Sequence, residues 1–176
     1  PLEDAVEIHN LSSNAVDISG WYLSNTEADP KKFLVPSNTV LAAGGFRVFY
    51  QYQFGTNTAP GVLTPFSFNS AHGDEVHLSQ TDGSDHLTGY RASVTFNAAA
   101  NGVSFGRYPT SGGVDFVALS QRTFGVDNPA TLAQFRTGTG ATNAEPLVGP
   151  VVINEILYHP DLGGDQWNAT LINEAY

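Results

Sequence analysis

The chain has no cysteine, no methionine, few basic residues and no long apolar run. Without cysteine there is no disulfide, no thiolate nucleophile and no Cys-ligated zinc. That absence alone does not fix the compartment. Methionine is missing even at position 1, which reads as a processed product or as part of a longer chain. Seven Lys and Arg stand against 17 Asp and Glu, for a formal net charge of −10. Phosphate backbones are held by clustered Lys and Arg, so nucleic acid is not an expected partner. No stretch approaches the roughly 20 apolar residues of a membrane-spanning helix. No signal peptide is present.

What is present is aromatic and rich in turn residues. Phe occurs 11 times, Tyr seven, Gly 18 and Pro 10, while only 14% of residues are charged. Asn, Ser and Thr fill the polar positions. At 176 residues the chain can bury one core, or one core plus a fragment. Low Lys with high Asn, Thr and Gly favours an exported protein, extracellular or on a cell surface. Asn10-Leu11-Ser12 and Asn168-Ala169-Thr170 match the glycosylation sequon, a short pattern that recurs in any chain of this composition.

Along the chain, apolar alternation predicts a series of short strands. Val6 and Ile8 alternate with Glu7 and His9. Val16, Ile18 and Trp21-Tyr22-Leu23 follow, with Ser19-Gly20 as a bend. Then come Phe33–Val35, Val40-Leu41, the tight turn Ala43-Gly44-Gly45 and Phe46–Tyr50. After a loop over 51–65, Phe66 and Phe68 read as a further strand. Val76 and Leu78 lead into Asp82-Gly83, a strong hairpin signal, and Leu87–Phe96 returns from it. Val103–Arg107 and Phe116–Leu119 give two more. Turns recur at sandwich spacing and no amphipathic helix stands out, which predicts a β-sandwich of about seven to nine strands over 1–120. Residues 121–150 lose periodicity. They read as an extended surface segment pinned by Phe124 and Phe135, then a linker from Thr137.

Val151-Val152-Ile153-Asn154-Glu155-Ile156-Leu157-Tyr158-His159-Pro160 is the strongest strand in the sequence. Val151, Ile153 and Leu157 fall on one face, and Val152, Ile156 and Tyr158 on the other. Apolar on both faces, it needs cover on both sides or a strand to pair with. Residues 151–176 therefore read as the start of a second module or as a donor strand. Fully extended, residues 137–150 would reach roughly 45 Å, enough to serve the chain's own sandwich or a neighbour's.

Several stretches together resemble the lamin tail domain family of bacterial extracellular type. They are Val6–Asn10, then Val16–Asn25 with Gly20 and Trp21, then Leu41–Phe46 with Gly44 and Gly45, then Gly73–Leu78. The resemblance covers roughly residues 5–120. It implies an immunoglobulin-like sandwich with Trp21 in the core, Gly20 as its bend and Gly44-Gly45 turning into Phe46. In this family a module usually opens with a strand like Val151–Tyr158, followed shortly by one like Val6–Asn10. Here that opening strand comes after the module instead. Two readings follow: a cut from a tandem array, or a strand that fills a vacant slot beside Val6 and Ile8, in cis or in a neighbour. The family also includes nuclear lamin tails, but this charge balance gives no reason to expect chromatin binding.

Candidate chemistry is sparse. Asp74, Asp82 and Asp85, with Glu75, surround the expected hairpin and offer hard oxygens to calcium, though without EF-hand spacing. The plainer reading makes Asp82 a turn residue and Asp74 a strand cap. His72, His77 and His86 could supply zinc nitrogens, but alternation with Val76 and Leu78 turns His77 to solvent. Gly102-Val103-Ser104-Phe105-Gly106 has the bare spacing of a nucleophile elbow but no helix after it, so Ser104 reads as a strand residue. Tyr50, Tyr52 and Phe54 cover one end of the sandwich or form a contact patch.

The sequence thus favours a non-enzymatic extracellular structural or interaction module. Its expected partner is protein, either itself or a tandem module, with head-to-tail strand complementation into a filament or surface array. The alternative is a calcium-assisted glycan- or surface-binding accessory module.

Overall fold

A computed structural model describes residues 3–110 and 112–148. Val151–Pro160 and the sequon at Asn168 lie outside the described residues.

Ten short strands and two single helical turns follow one another. The strands are β1 (Ala5–His9), β2 (Val16–Asp17), β3 (Tyr22–Ser24), β4 (Phe33–Leu34), β5 (Val40–Leu41) and β6 (Phe46–Tyr50). After the turn α1 (Gln51–Phe54) come β7 (Asp74–Thr81), β8 (Leu87–Phe96), β9 (Phe105–Thr110), β10 (Gly113–Ala118) and the turn α2 (Leu132–Phe135). One sheet has the order β4-β3-β7-β8. Facing it are the antiparallel pairs β1-β6 and β2-β5, with β9-β10 as a separate hairpin. This is the expected all-β, immunoglobulin-like sandwich.

The core forms where the two layers meet. Leu23, Phe33 and Leu78 from the four-stranded sheet pack with Phe49 and Leu41 from the other layer, and Trp21, Val35, Phe54 and Phe66 close the cluster. Val6 and Ile8 lie against it, half-buried. Alternation places them there, since successive side chains of a strand point to opposite faces.

Gly20 sits at φ +76° and breaks the expected second strand into β2 and β3. Gly44 sits at φ +67°, and the Gly45 N–H donates to the Ala42 carbonyl at 2.9 Å, closing the tight turn into β6. Both positions favour glycine because a Cβ is strained at positive φ. Asn10, 7% exposed, ties the end of β1 to the β5–β6 turn. Its Nδ2 donates to the carbonyls of Asn14 at 2.7 Å and Ala42 at 2.9 Å, while its Oδ1 accepts from Ser12. Asn10 of the first sequon is therefore a buried structural residue.

The Asp82-Gly83 hairpin forms between β7 and β8, with a bulge between Ser79 and Thr81. Phe66 and Phe68, by contrast, are not in a strand. They have no ladder and pack as a ring series, Phe54 stacked on Phe66 at 4.7 Å, then Phe66 to Phe68 and Phe68 to Phe96 edge-on, each at 5.8 Å. Phe96 continues the series to Phe105 at 5.6 Å, which joins the β9-β10 hairpin to the sandwich.

Candidate functional site

The outer edge of β1 and the segment packed beside it form the most distinctive surface. β1 has one ladder partner among the described residues, β6. The register pairs Ala5 with Tyr50, Glu7 with Val48 and His9 with Phe46. Beyond the two ends of this ladder, Asn10 N donates to Gly45 O and Gln51 N donates to Asp4 O. Hydrogen-bonded pairs alternate along an antiparallel ladder, so positions 4, 6, 8 and 10 direct their backbone groups at β6. The N–H and C=O groups of Ala5, Glu7 and His9 therefore face the opposite edge. That edge offers three donors and three acceptors in a row.

The face of β1 and β6 turned away from the core carries Ala5, Glu7, Val48 and Tyr50. A second cluster covers it, with Phe135 and the half-buried Phe124 and Leu132 packed on Val48, Tyr50 and Ala5. Several polar contacts fasten this strap. The Tyr50 hydroxyl donates to Gly138 O at 2.8 Å. Arg136 donates Nε and Nη2 to the two oxygens of Glu3 at 2.6 and 2.7 Å and lies 4.2 Å from the Tyr52 ring centre. The Ala141 N–H donates to Glu7 Oε2 at 3.0 Å. Burial of the Glu7 carboxyl pushes its pKa up to about 7, against the opposing pull of the Ala141 hydrogen bond.

Farther along, Asn143 donates to Arg107 O at 3.0 Å, Ser120 N to Glu145 O at 2.8 Å and Leu147 N to Ala118 O at 2.8 Å. The stretch expected as a linker from Thr137 is thus tied to the body of the protein as far as Leu147. The reason is local: Thr131-Leu132-Ala133-Gln134 is a capping box that winds α2 and presents Phe135 to Tyr50.

The three aspartates expected around the hairpin are not brought together. Asp74 opens β7 and Asp82 lies just past its other end, roughly 26 Å of strand away. Asp74 accepts from Asn69 N and Glu75 N. Asp82 accepts from the N–H groups of Ser84 and His86, at 2.8 and 2.9 Å. Asp85 accepts from the Tyr22 hydroxyl at 2.8 Å and from Lys31 Nζ at 3.2 Å. Among the described residues, no group of three or more His, Asp or Glu side chains is placed to hold a metal ion.

His77 differs from its expected solvent-facing position, being only 5% exposed. The 25–32 loop folds back over that side of the sheet, with Ser24 Oγ on Asp29 O at 2.6 Å and Glu27 N on Glu75 Oε1 at 2.9 Å. His77 Nδ1 meets Ser93 Oγ at 2.9 Å, and its Nε2 stands 3.1 Å from Glu75 Oε1 without an aligned hydrogen bond. His72 and His86 are exposed. Ser104 precedes β9 with its hydroxyl buried and unpartnered, whereas a nucleophile needs a base within reach. Tyr50 and Phe54 are core residues and Tyr52 is 46% exposed. No helix among the described residues is long and apolar enough to cross a membrane.

The alternation of β1 foreshadowed the edge, and the surface segment expected to be pinned by Phe124 and Phe135 is the first half of the strap, whereas Glu7 and the tethering beyond Thr137 were not singled out from sequence. The capping box at Thr131 and Gln134 was the available signal.

A family profile described as Lamin Tail Domain matches residues 2–98, more than half of the chain. The matched range takes in β1 to β8 and leaves out β9, β10 and the strap. No curated protein and no solved structure matches the chain. With Gly20 and Trp21 at the entry to β3, Gly44-Gly45 turning into β6 and two facing sheets, the profile match settles the family: the chain belongs to the lamin tail domain family, an immunoglobulin-like interaction or structural module.

Proposed function

We propose that this module is a non-enzymatic, exported assembly unit that associates by β-strand addition along β1. The row of backbone groups at Ala5, Glu7 and His9, which no strand among the described residues pairs with, carries this reading. Main-chain hydrogen bonds along such an edge supply affinity, and the side chains on either side set register. Val6 and Ile8 point into the core but are only half-buried, so an added strand with apolar residues on its inner face would extend their cover.

The donor in this reading is Val151–Pro160, apolar on both faces and outside the described residues. Donation to a neighbour is head-to-tail, and a head-to-tail contact that does not close generates a filament or surface array. A composition low in Lys and Arg, with a net charge of −10, supports an exported setting. The module needs no cofactor to act this way.

Native mass spectrometry of the chain with and without residues 149–176 tests the reading. Assembly through the donor predicts concentration-dependent oligomers that the deletion abolishes, while the truncated chain keeps its β-rich circular dichroism. An unchanged association state after deletion would remove strand donation.

A further inference from the structure

We infer that the segment from Phe124 to Ala141 is a strap whose final contact, Ala141 on Glu7, tightens and loosens with proton binding at the Glu7 carboxyl. The geometry comes first. The strap passes the outward face of β1 and β6 so closely that a Cβ at Gly140 would collide with Phe46, and one at Gly138 would collide with the Phe124 carbonyl. Gly140 sits at φ +100°, a backbone conformation reserved for glycine. The Glu7 carboxyl is half-buried where the strap crosses and takes one hydrogen bond there, from a neutral amide.

Among the described residues, the charged and titratable groups around Glu7 give it no counter-ion. Glu3, just before β1, is committed to Arg136 of the strap through two hydrogen bonds. His9 stacks on Phe46 at 4.0 Å. On β6, the Tyr50 hydroxyl is spent on Gly138, and Arg47 lies over the Phe49 ring, toward the opposite face. Tyr52 of α1 lies beneath Arg136. An ionised Glu7 therefore loses hydration without gaining a partner of opposite sign.

The sign follows. In the closed strap the carboxyl titrates near 7, whereas an exposed glutamate titrates near 4.5. Closure is favoured at low pH, and the advantage is lost as pH rises through about 7. Protonated Glu7 still offers an oxygen to the Ala141 N–H, so the hydrogen bond survives protonation. Loosening at alkaline pH would expose Glu7 and free the end of the strap, while Phe135 keeps its cover over Ala5, Val48 and Tyr50. This inference concerns the strap alone and stands whether or not a strand adds to the neighbouring edge.

Hydrogen exchange on the full chain at pH 5.5, 6.5, 7.5 and 8.5, corrected for intrinsic rates, tests it. Protection over residues 136–142 is expected to fall about ten-fold across the series while that of β3 and β7 holds. Glu7→Gln mimics the protonated side chain and is expected to keep strong protection at every pH. Gly138→Ala, which unseats the strap, is expected to show weak protection at every pH. The carboxyl-carbon NMR shift of Glu7 is expected to titrate near 7, the pH at which the fall in protection levels off, which keeps the test open if either variant fails to fold. A flat wild-type series, the same fall in Glu7→Gln, wild-type protection in Gly138→Ala, or a Glu7 midpoint below 5 would each overturn the proposal.

Discussion

The phenol of Tyr50 donates to the Gly138 carbonyl at 2.8 Å across 88 positions of sequence. This buried bond holds β6 to a segment beyond the family match. Tyr50→Phe keeps the ring packed on Phe135 and leaves the carbonyl without its partner. The expected loss is about 1–2 kcal/mol, read as a lower urea midpoint at unchanged m-value. An unchanged midpoint would mean that water replaces the phenol at no cost.

Asn10 makes a sharper case, because its side chain bonds the ends of two turns. Asn10→Ala removes one hydrogen bond from each of the Asn14 and Ala42 carbonyls, together with those that Oδ1 accepts from Ser12, and is expected to cost about 2–3 kcal/mol in chemical denaturation. The same geometry bears on the sequon. A folded Asn10 has its Nδ2 occupied and buried, so expression in a glycosylating host should leave this site unmodified by intact-mass analysis. A glycan on the folded protein at Asn10 would contradict the described fold there.

The strap is expected to contribute to stability as a core element does. Phe135 is 2% exposed and packs against Tyr50 and Phe124. Phe135→Ala should destabilise by about 3–5 kcal/mol. A chain ending at residue 98 uncovers Val48 and Tyr50 and cuts the ring series at Phe96. It should melt at lower temperature and bind a hydrophobic dye, whereas one ending at 148 should not. Equal melting of the two would make everything after residue 98 an appendage.

Burial, and then Asp85, push the Tyr22 hydroxyl up to about 12. Asp85 in turn is held below the usual carboxylate range, first by Tyr22 and then by Lys31. Its contribution to stability is thus present above the ordinary aspartate value and lost as pH falls through the lowered one. Asp85→Ala should let Tyr22 ionise earlier in an alkaline titration followed at 295 nm, with the part due to burial remaining. The variant should also flatten the acid limb of the melting-temperature profile. With Asp74 at the far end of β7, calcium and chelator should leave wild-type melting unchanged. A calcium-dependent rise that Asp85→Ala abolishes would revive a cation site at the hairpin.

The strands that the sequence revealed are those whose pattern is written in neighbouring residues. Val6 and Ile8 alternate, Gly44-Gly45 can turn where other residues strain, and Asp82-Gly83 closes a hairpin between two runs that pair with each other. What stayed hidden depends on distant partners. Phe66 and Phe68 have strand spacing, but only a ladder makes a strand, and their rings pack instead against Phe54 and Phe96. His77 alternates outward as expected, yet a loop fifty positions earlier in the chain folds over it. Glu7 looks like an ordinary solvent-facing residue of β1 until residue 141 arrives above it.

The hydrogen bond from Leu147 to Ala118 changes the statistics of what comes next. A chain free from residue 137 could carry Val151 through a sphere of roughly 45 Å radius. A chain held at 147 has three residues, 148–150, and a radius of roughly 10 Å. The searchable volume shrinks on the order of a hundred-fold, and the effective concentration of the following segment rises by the same factor at whatever acceptor lies within that radius. Beyond that radius it is zero. If the following segment adds to a sheet edge as proposed, its reach would be set by where Ala118 sits, and substitutions near that anchor would redirect it more than lengthening the strand itself.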